Sequence, residues 1–356
     1  MDGSSTELGK SIIILTPGFP ISETDNNCLP SVQGFVQELA KQIGQHRIFV
    51  LSFQYPFNEG CYFWNGIKVY SAGGKNKKGI SRFYTYRKII LEAYKIIKNN
   101  NVAAIHSLWL TGTTFIGTKL SNKFSIPHIA SILGQDAKSS NIYLKFLKLK
   151  NIIIVANSDF SAHVYRKTTG RKPNEIIQLG LNLDSYKPIN SFNKCYDVIG
   201  CGSLSKIKQF DHFIPITLAL KKTNPEIKVA IIGDGPTYNK LKIMIEQNNL
   251  SKNLLLLGSI NNFEILNYIS KAKIFLHTSK YEASSHVMLE ANYCGLPTVS
   301  YSVGYHPTNN LNHVCESIDE MIQQIQLLLK NPSTSNNSTT PTINETVTAY
   351  RKLYQF

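Results

Sequence analysis

Acidic residues are scarce in this sequence. Asp and Glu number 23 against 38 Lys and Arg, giving a formal net charge of +15 at pH 7 over 356 residues. Such an excess implies attraction to polyanions: nucleic acid, an anionic membrane surface or phosphorylated substrates. Long apolar runs are also missing, and no stretch approaches the ~20 residues that span a bilayer. The polar segment Met1–Lys10 leads directly into the short apolar run Ile12–Leu15. A secretory signal needs a longer apolar region and a cleavage site, so this run reads as a first strand and the protein is expected in the cytoplasm. Six cysteines (Cys28, Cys61, Cys195, Cys201, Cys294 and Cys315) lie scattered, with no C-x-x-C and no neighbouring His pair. That pattern argues against a zinc site and a disulfide framework, and for small buried apolar side chains.

What is present is alternation. Short β-branched runs interleave with helical spacing along the chain, the pattern of parallel sheets covered by helices. In the first half, strands are expected at 11–16, 48–52, 67–71, 103–107, 128–132 and 152–156, with helices near 32–43, 82–98 and 110–122. The pattern resets around 180–187. A second series of strands follows at 197–202, 228–232, 254–257, 274–277 and 298–300, with helices near 211–222, 238–248, 263–271 and 285–293. The length suits two domains, each with its own core. The expected organisation is α/β: two doubly wound Rossmann-like domains, residues 1–184 and 185–330, facing across a cleft. Ligands of such sheets bind at the carboxyl ends of the strands. Residues 331–342, rich in Asn, Ser, Thr and Pro, read as a linker. Residues 343–356 regain helical spacing and are expected to form a helix packing back on the N-terminal domain.

The densest chemical signal runs from Ser279 to Thr298. Glu282 and Glu290 stand with seven residues between them, and Gly295 followed by Pro297 ends a helix. Ser284 or Ser285 is a candidate N-cap, which puts the helix start just after Glu282. Free N–H groups and the positive dipole end suit a diphosphate there. Glu290 lies one to two turns further on, within reach of a ribose. This stretch resembles the E-x7-E region of the retaining GT-B glycosyltransferases known as glycosyltransferase family 4: a Glu, small residues, an apolar helix, Glu-Ala, then Gly-x-Pro.

Other segments resemble the same family. Val198–Phe210 is similar to its strand, Gly-Arg-Leu and Lys-Gly turn. The resemblance puts Lys208 on the lysine that neutralises the donor diphosphate, a fixed cation that a metal-free site needs. Ser203 stands where arginine is usual, and Gln209 where glycine is usual. Lys206 either supplies the missing charge or points to solvent. Ile231–Pro236, with Gly233, resembles the turn beside the nucleotide; Asp234 there is expected to be part of a glycine turn without a ligand. Leu257–Ile260 resembles the segment framing the nucleobase. In the first half, Thr16–Pro20, containing Gly18, resembles the first turn facing donor and acceptor. Ile132–Asp136 resembles a His-Gly-x-Asp turn with Leu133 in place of the histidine that contacts the transferred sugar. Gln135 and Asp136 are thereby candidate acceptor contacts, and Asp136 is either a base for the acceptor hydroxyl or a structural cap.

The resemblance implies a retaining, metal-independent transfer of a hexose-type sugar from a UDP- or GDP-sugar to a glycan or lipid-linked acceptor, in cell-surface polysaccharide synthesis. Glu282 would hold donor-sugar hydroxyls. Lys208 and the helix start at Ser285 would receive the diphosphate, with Gly202, Ser203, Lys206, Gly233, Ile260, Ser284, His286 and Val287 completing the donor site. His286 either touches sugar or phosphate or faces solvent. No cofactor or metal is expected, and no D-x-D triplet occurs. Basic and aromatic residues gather in Lys75–Lys98 and Tyr143–Lys150, the composition of a contact with the inner face of an anionic membrane; no nucleic-acid motif accompanies them. The rival readings are a nucleotide-sugar epimerase of the same fold and a non-catalytic sugar- or polyanion-binding protein. Salt-sensitive nucleic-acid binding ranks last.

Overall fold

A computed structural model describes residues 9–25, 28–147, 151–187, 189, 193–304, 310–331 and 340–356. The described residues divide into two compact units: those up to Leu179 together with Ile343–Phe356, and those within Gly180–Thr342.

The first unit is built on an eight-stranded sheet. Its strands are β1 (Ser11–Gly18), β2 (Ile48–Tyr55), β3 (Glu59–Trp64), β4 (Ile67–Ala72), β5 (Val102–Leu108), β6 (His128–Ile132), β7 (Ile153–Ala156) and β8 (Glu175–Ile176), in the order β3-β4-β2-β1-β5-β6-β7-β8. All neighbours pair in parallel except β3 with β4, which form an antiparallel hairpin. The helices are α1 (Pro30–Ile43), α2 (Ile80–Asn99), α3 (Gly112–Phe124), α4 (Tyr143–Phe146) and α5 (Asp159–Thr169). Ile12, Ile13, Ile14 and Leu15 of β1 are all fully buried, because helices cover both faces of this central strand. α1 starts with Pro30 at its first position, where a missing N–H costs nothing. α5 begins with a capping box between Ser158 and Ser161.

The second unit has six parallel strands: β9 (Tyr196–Cys201), β10 (Val229–Ile232), β11 (Leu254–Gly258), β12 (Ala272–His277), β13 (Thr298–Ser300) and β14 (Asn312–Val314). Their order, β11-β10-β9-β12-β13-β14, is that of a dinucleotide-binding fold, with the reversal between β9 and β12. Helices α6 (Phe213–Thr223), α7 (Tyr238–Gln247), α8 (Ile265–Ile269), α9 (His286–Tyr293) and α10 (Ile318–Lys330) accompany them. The helix expected over 263–271 is shorter, a 3-10 turn at Asn262–Glu264 followed by α8.

Helix α11 (Ile343–Tyr354) belongs to the first unit. Ile343, Val347, Tyr350 and Tyr354 recur at helical spacing and are buried against Phe35, Leu39 and the strands. Polar ends fix the register. Tyr350 Oη lies 2.7 Å from Ser131 Oγ, and Tyr354 Oη lies 2.6 Å from His106 Nδ1. His106 Nε2 shares a further hydrogen bond of 2.7 Å with Ser131. Burial, with His128 nearby, holds the His106 imidazole neutral, its pKa lowered to about 3.

The chain passes into the second unit at Gly180, earlier than residue 184. Leu181 forms a parallel bridge with Thr342, its N–H donating to Pro341 O at 2.9 Å, so the entering and leaving segments lie side by side. A Cβ on Gly180 would come within 2.3 Å of the Thr342 backbone, so this approach requires glycine. Of the expected linker 331–342, residues 332–339 lie outside the described residues, as do Lys148 to Lys150 of the second basic cluster. No described helix is long and apolar enough to cross a membrane.

Candidate active site

In the second unit the sheet reversal opens at the ends of β9 and β12, and the residues that follow these strands build the site. After β9 the chain turns through Gly202 (φ 152°) and a 3-10 turn at Lys206–Lys208. Gln209 sits in the left-handed region (φ 49°), where glycine is easier, so a glutamine holds this turn at a cost in strain. After β10, Gly233 (φ 140°) passes so close to Gly202 that a Cβ would lie 1.9 Å from Gly202 O. Two backbones thus meet without side chains between them.

Lys208 and Glu282 form an ion pair, with side chains 23% and 14% exposed. The Thr278 hydroxyl donates to Lys208 O at 2.9 Å and Lys280 N–H to Ile207 O at 2.9 Å, which ties the Lys208 turn to the chain after β12. Glu282 Oε1 also accepts from Ser279 Oγ at 3.1 Å and lies 3.5 Å from His277 Nε2. Burial would raise the Glu282 pKa, but His277 and the Lys208 charge reverse that and hold it at about 2. His277 is itself shifted down, first by burial, so it faces the carboxylate as a neutral ring. A carboxylate only accepts, so the ring proton sits on Nε2, which also lies 3.1 Å from Ser279 Oγ and 3.2 Å from Ser285 Oγ.

Ser285 is the N-cap of α9, but its hydroxyl turns to His277 and makes no cap hydrogen bond. The first turn of α9 carries no acidic residue. Gly304 (φ 80°) runs past this point: a Cβ there would lie 3.0 Å from Glu282 Cβ and 3.4 Å from Ser285 N. His286 is half-buried at the first turn, its pKa lowered by burial to about 4. Val287, Ile260 and Leu257 pack beside one apolar cluster under the site, while Ser284 is half-buried. Lys206 and Ser203 are exposed, and Lys206 forms no ion pair among the described residues. Asp234 Oδ1 accepts from Gly235 N–H at 2.7 Å, as expected of a turn residue.

Glu290 is 4% exposed, one turn into α9. Burial raises its pKa to about 7 against the opposing hydrogen bond from Tyr186 Oη, 2.7 Å from Oε1. The site therefore groups Ser279, Glu282 and Ser285 around His277, with Lys208 paired to Glu282 and Gly202 beside Lys208, and sets Glu290 apart with Tyr186. Tyr186, His277 and Gly304 were not singled out by sequence reasoning. His277 closes a buried strand just before the motif, the one local signal that points to it.

In the first unit, Gly18 ends β1 and its carbonyl accepts from Thr16 Oγ1 at 2.8 Å. Gln135 is exposed and accepts from Lys138 Nζ at 3.0 Å. Asp136 is 6% exposed, and its two oxygens accept from Leu110 N–H at 2.7 Å and Gly134 N–H at 2.8 Å. Burial lifts its pKa to about 6 against those backbone donors. Of the two roles open to Asp136, this geometry favours the structural one. Leu133 packs against the main core of the unit.

The basic segment of α2 divides in two. Lys88 pairs with Glu59 at 2.6 Å and Lys95 with Glu92 at 2.9 Å, offsetting two of the charges on its later turns. The first turns expose Ile80 (78%), Phe83 (66%) and Tyr84 (55%), and α4 nearby exposes Phe146 (72%).

Residues 185–341 match the family described as glycosyl transferases group 1. Among curated proteins, the chain is 26% identical over 317 residues to an uncharacterised glycosyltransferase of Methanocaldococcus jannaschii, covering 82% of this chain and 84% of the other. It is 24% identical over 275 residues to the phosphatidylinositol N-acetylglucosaminyltransferase gpi3 subunit of Schizosaccharomyces pombe, covering 74% of this chain and 60% of that protein's length. Among solved structures, sucrose-phosphate synthase from Thermosynechococcus elongatus superposes with a TM-score of 0.71 at 16% identity over 97% of both chains. Anabaena HepE in complex with UDP-glucose does so with 0.67 at 18% identity over 97% of this chain and 96% of that one. With its two Rossmann-like units the chain has the GT-B fold of these structures, and its residues 185–341 match the group 1 glycosyl transferases.

Proposed function

We propose that the protein transfers a hexose-type sugar from a UDP- or GDP-sugar, with retention of configuration, to a glycan or lipid-linked acceptor. The observation that carries this is the Lys208–Glu282 pair beside the uncapped start of α9. In this reading the departing diphosphate exchanges onto Lys208 and the first N–H groups of α9, which stabilise its growing charge. Glu282, freed from part of its ion pair, accepts from donor-sugar hydroxyls. Its low pKa supports this, because it stays an acceptor throughout the working pH range. Glu290 receives the ribose hydroxyls in exchange for Tyr186. The acceptor oxygen attacks from the face the diphosphate leaves, as the resemblance to the E-x7-E enzymes implies, and no metal is required because Lys208 and the helix supply the positive charge. HepE, solved with UDP-glucose, and gpi3, named for N-acetylglucosamine transfer to phosphatidylinositol, support a nucleotide-sugar donor and a lipid-linked acceptor. The exposed Ile80, Phe83 and Phe146 beside Lys77, Lys78 and Lys145 support contact with an anionic membrane at the cytoplasmic face during polysaccharide synthesis.

Calorimetric titration of UDP and GDP without added metal, into wild type and Glu290→Ala, tests the donor site. Saturable binding of one nucleotide, weakened in the variant, is expected. A folded protein that binds neither would overturn the assignment.

A further inference from the structure

The first unit holds a cavity of about 440 Å3 at the carboxyl ends of β1, β2 and β5, the reversal point of its own sheet. Its charge is one-sided. Lys77 and Arg82 line it, and no Asp or Glu does. Arg82 Nη1 donates to Tyr143 Oη at 3.2 Å, and that phenol shares a 2.7 Å hydrogen bond with Tyr86 Oη. A neutral phenol satisfies one of the five guanidinium N–H groups and none of its charge. Among the described residues neither Arg82 nor Lys77 has a carboxylate partner, although Lys88 and Lys95 of the same helix do.

The start of α3 adds to this field. Thr111, Gly112 and Thr113 line the cavity, and the helix has neither a side-chain cap nor an acid in its first turn. A Cβ on Gly112 would fall 2.0 Å from Tyr86 Oη, so only glycine lets the phenol close against the helix start. A guanidinium, an ammonium and helix N–H groups thus converge on one space, walled by Phe53, Tyr86 and Trp109. Neutral hydroxyls alone would leave that charge unmatched.

We propose that this cavity binds a phosphate mono- or diester, with the aromatic wall against its organic part. The site deepens the acceptor half of the proposed function, and rests on that reading only in identifying the bound phosphate ester as the acceptor. The phosphate belongs either to a lipid headgroup, reached past the exposed Ile80 and Phe83, or to a free ester.

The sequence contains two tryptophans. Trp64 is 1% exposed in the core while Trp109 lines the cavity, so emission changes that disappear in Trp109→Phe report this site. The full chain is titrated with glycerol 3-phosphate and inorganic phosphate, and separately with phosphatidylcholine vesicles with or without phosphatidic acid. A saturable Trp109 response is expected, about 10- to 100-fold weaker in Arg82→Gln and less affected in the exposed Lys77→Gln, with UDP affinity unchanged in both. A response to both soluble esters and vesicles assigns a free or headgroup phosphate; a response to phosphatidic acid vesicles alone, lost in Arg82→Gln, assigns the headgroup. No response to any phosphate in protein that binds UDP overturns the site, as does a response equal in wild type and both variants. A phosphate response without UDP binding retains the site and removes the donor reading.

Discussion

Replacing Glu290 by Gln should make the protein more stable, and increasingly so as pH rises. The buried carboxyl has a folded pKa of about 7 against an ordinary value of 4.5. Between those values the folded state holds a proton that the unfolded chain has released, so stability falls as pH rises through this window. The loss is complete above the folded value. At 1.36 kcal/mol per pKa unit it reaches about 3 kcal/mol. Glutamine keeps an oxygen to accept from Tyr186 Oη but does not ionise. Near pH 4.5 the two proteins should therefore match closely, and by pH 8 the variant should lead by about 3 kcal/mol. For a unit of this size that is roughly 6 to 12 °C in Tm. Urea unfolding followed by circular dichroism at pH 5, 6, 7 and 8, reading the transition of the second unit, measures the difference. Parallel stability curves would refute the reasoning, because they would mean that Glu290 ionises in the fold as easily as in water.

Lys208→Met removes the partner of a carboxylate held at about 2, and should cost about 1–3 kcal/mol at pH 7. A depressed pKa contributes stability above about 4.5 that disappears as pH falls through 2, so the same variant should lose much less at pH 3; unfolding at the two pH values checks both. Tyr354→Phe removes the hydrogen-bond partner of buried His106 Nδ1 and should destabilise the first unit by about 1–3 kcal/mol, read by denaturant midpoint at unchanged slope.

Both sheets were legible because central strands buried on two faces are nearly pure apolar runs. β6 and β13 fall where the sequence puts them, at His128–Ile132 and Thr298–Ser300. The strands it misses lack that signature. β3 is an edge strand with alternately exposed side chains, and β14 carries His313 in three residues. A second signal existed for β3: Asn65-Gly66, both at positive φ, joins Trp64 to its partner Ile67 in a two-residue turn. The Glu282–Glu290 motif was readable because Glu282, Ser285 and Glu290 are neighbours along one turn and helix. Tyr186 is 104 residues from Glu290, and nothing local marks it as the donor to that carboxylate. Arg82 and Tyr86 were read as surface charge and aromatic on α2; only the fold brings Tyr143 and the start of α3 to them.

The return of α11 to the first unit sets an order of events at the ribosome. Tyr350 and Tyr354 complete a core whose other walls are β1, β5 and α1, and they are translated only after the whole segment Gly180–Thr342. At the usual pace of synthesis that interval is on the order of ten to thirty seconds. During it the groove that receives α11 is open, with His106 and Ser131 lacking their phenolic partners. The second unit is continuous in sequence and ends at Thr342. The later-made half can therefore mature before the earlier one, which leaves the nascent N-terminal half as the natural client of a chaperone.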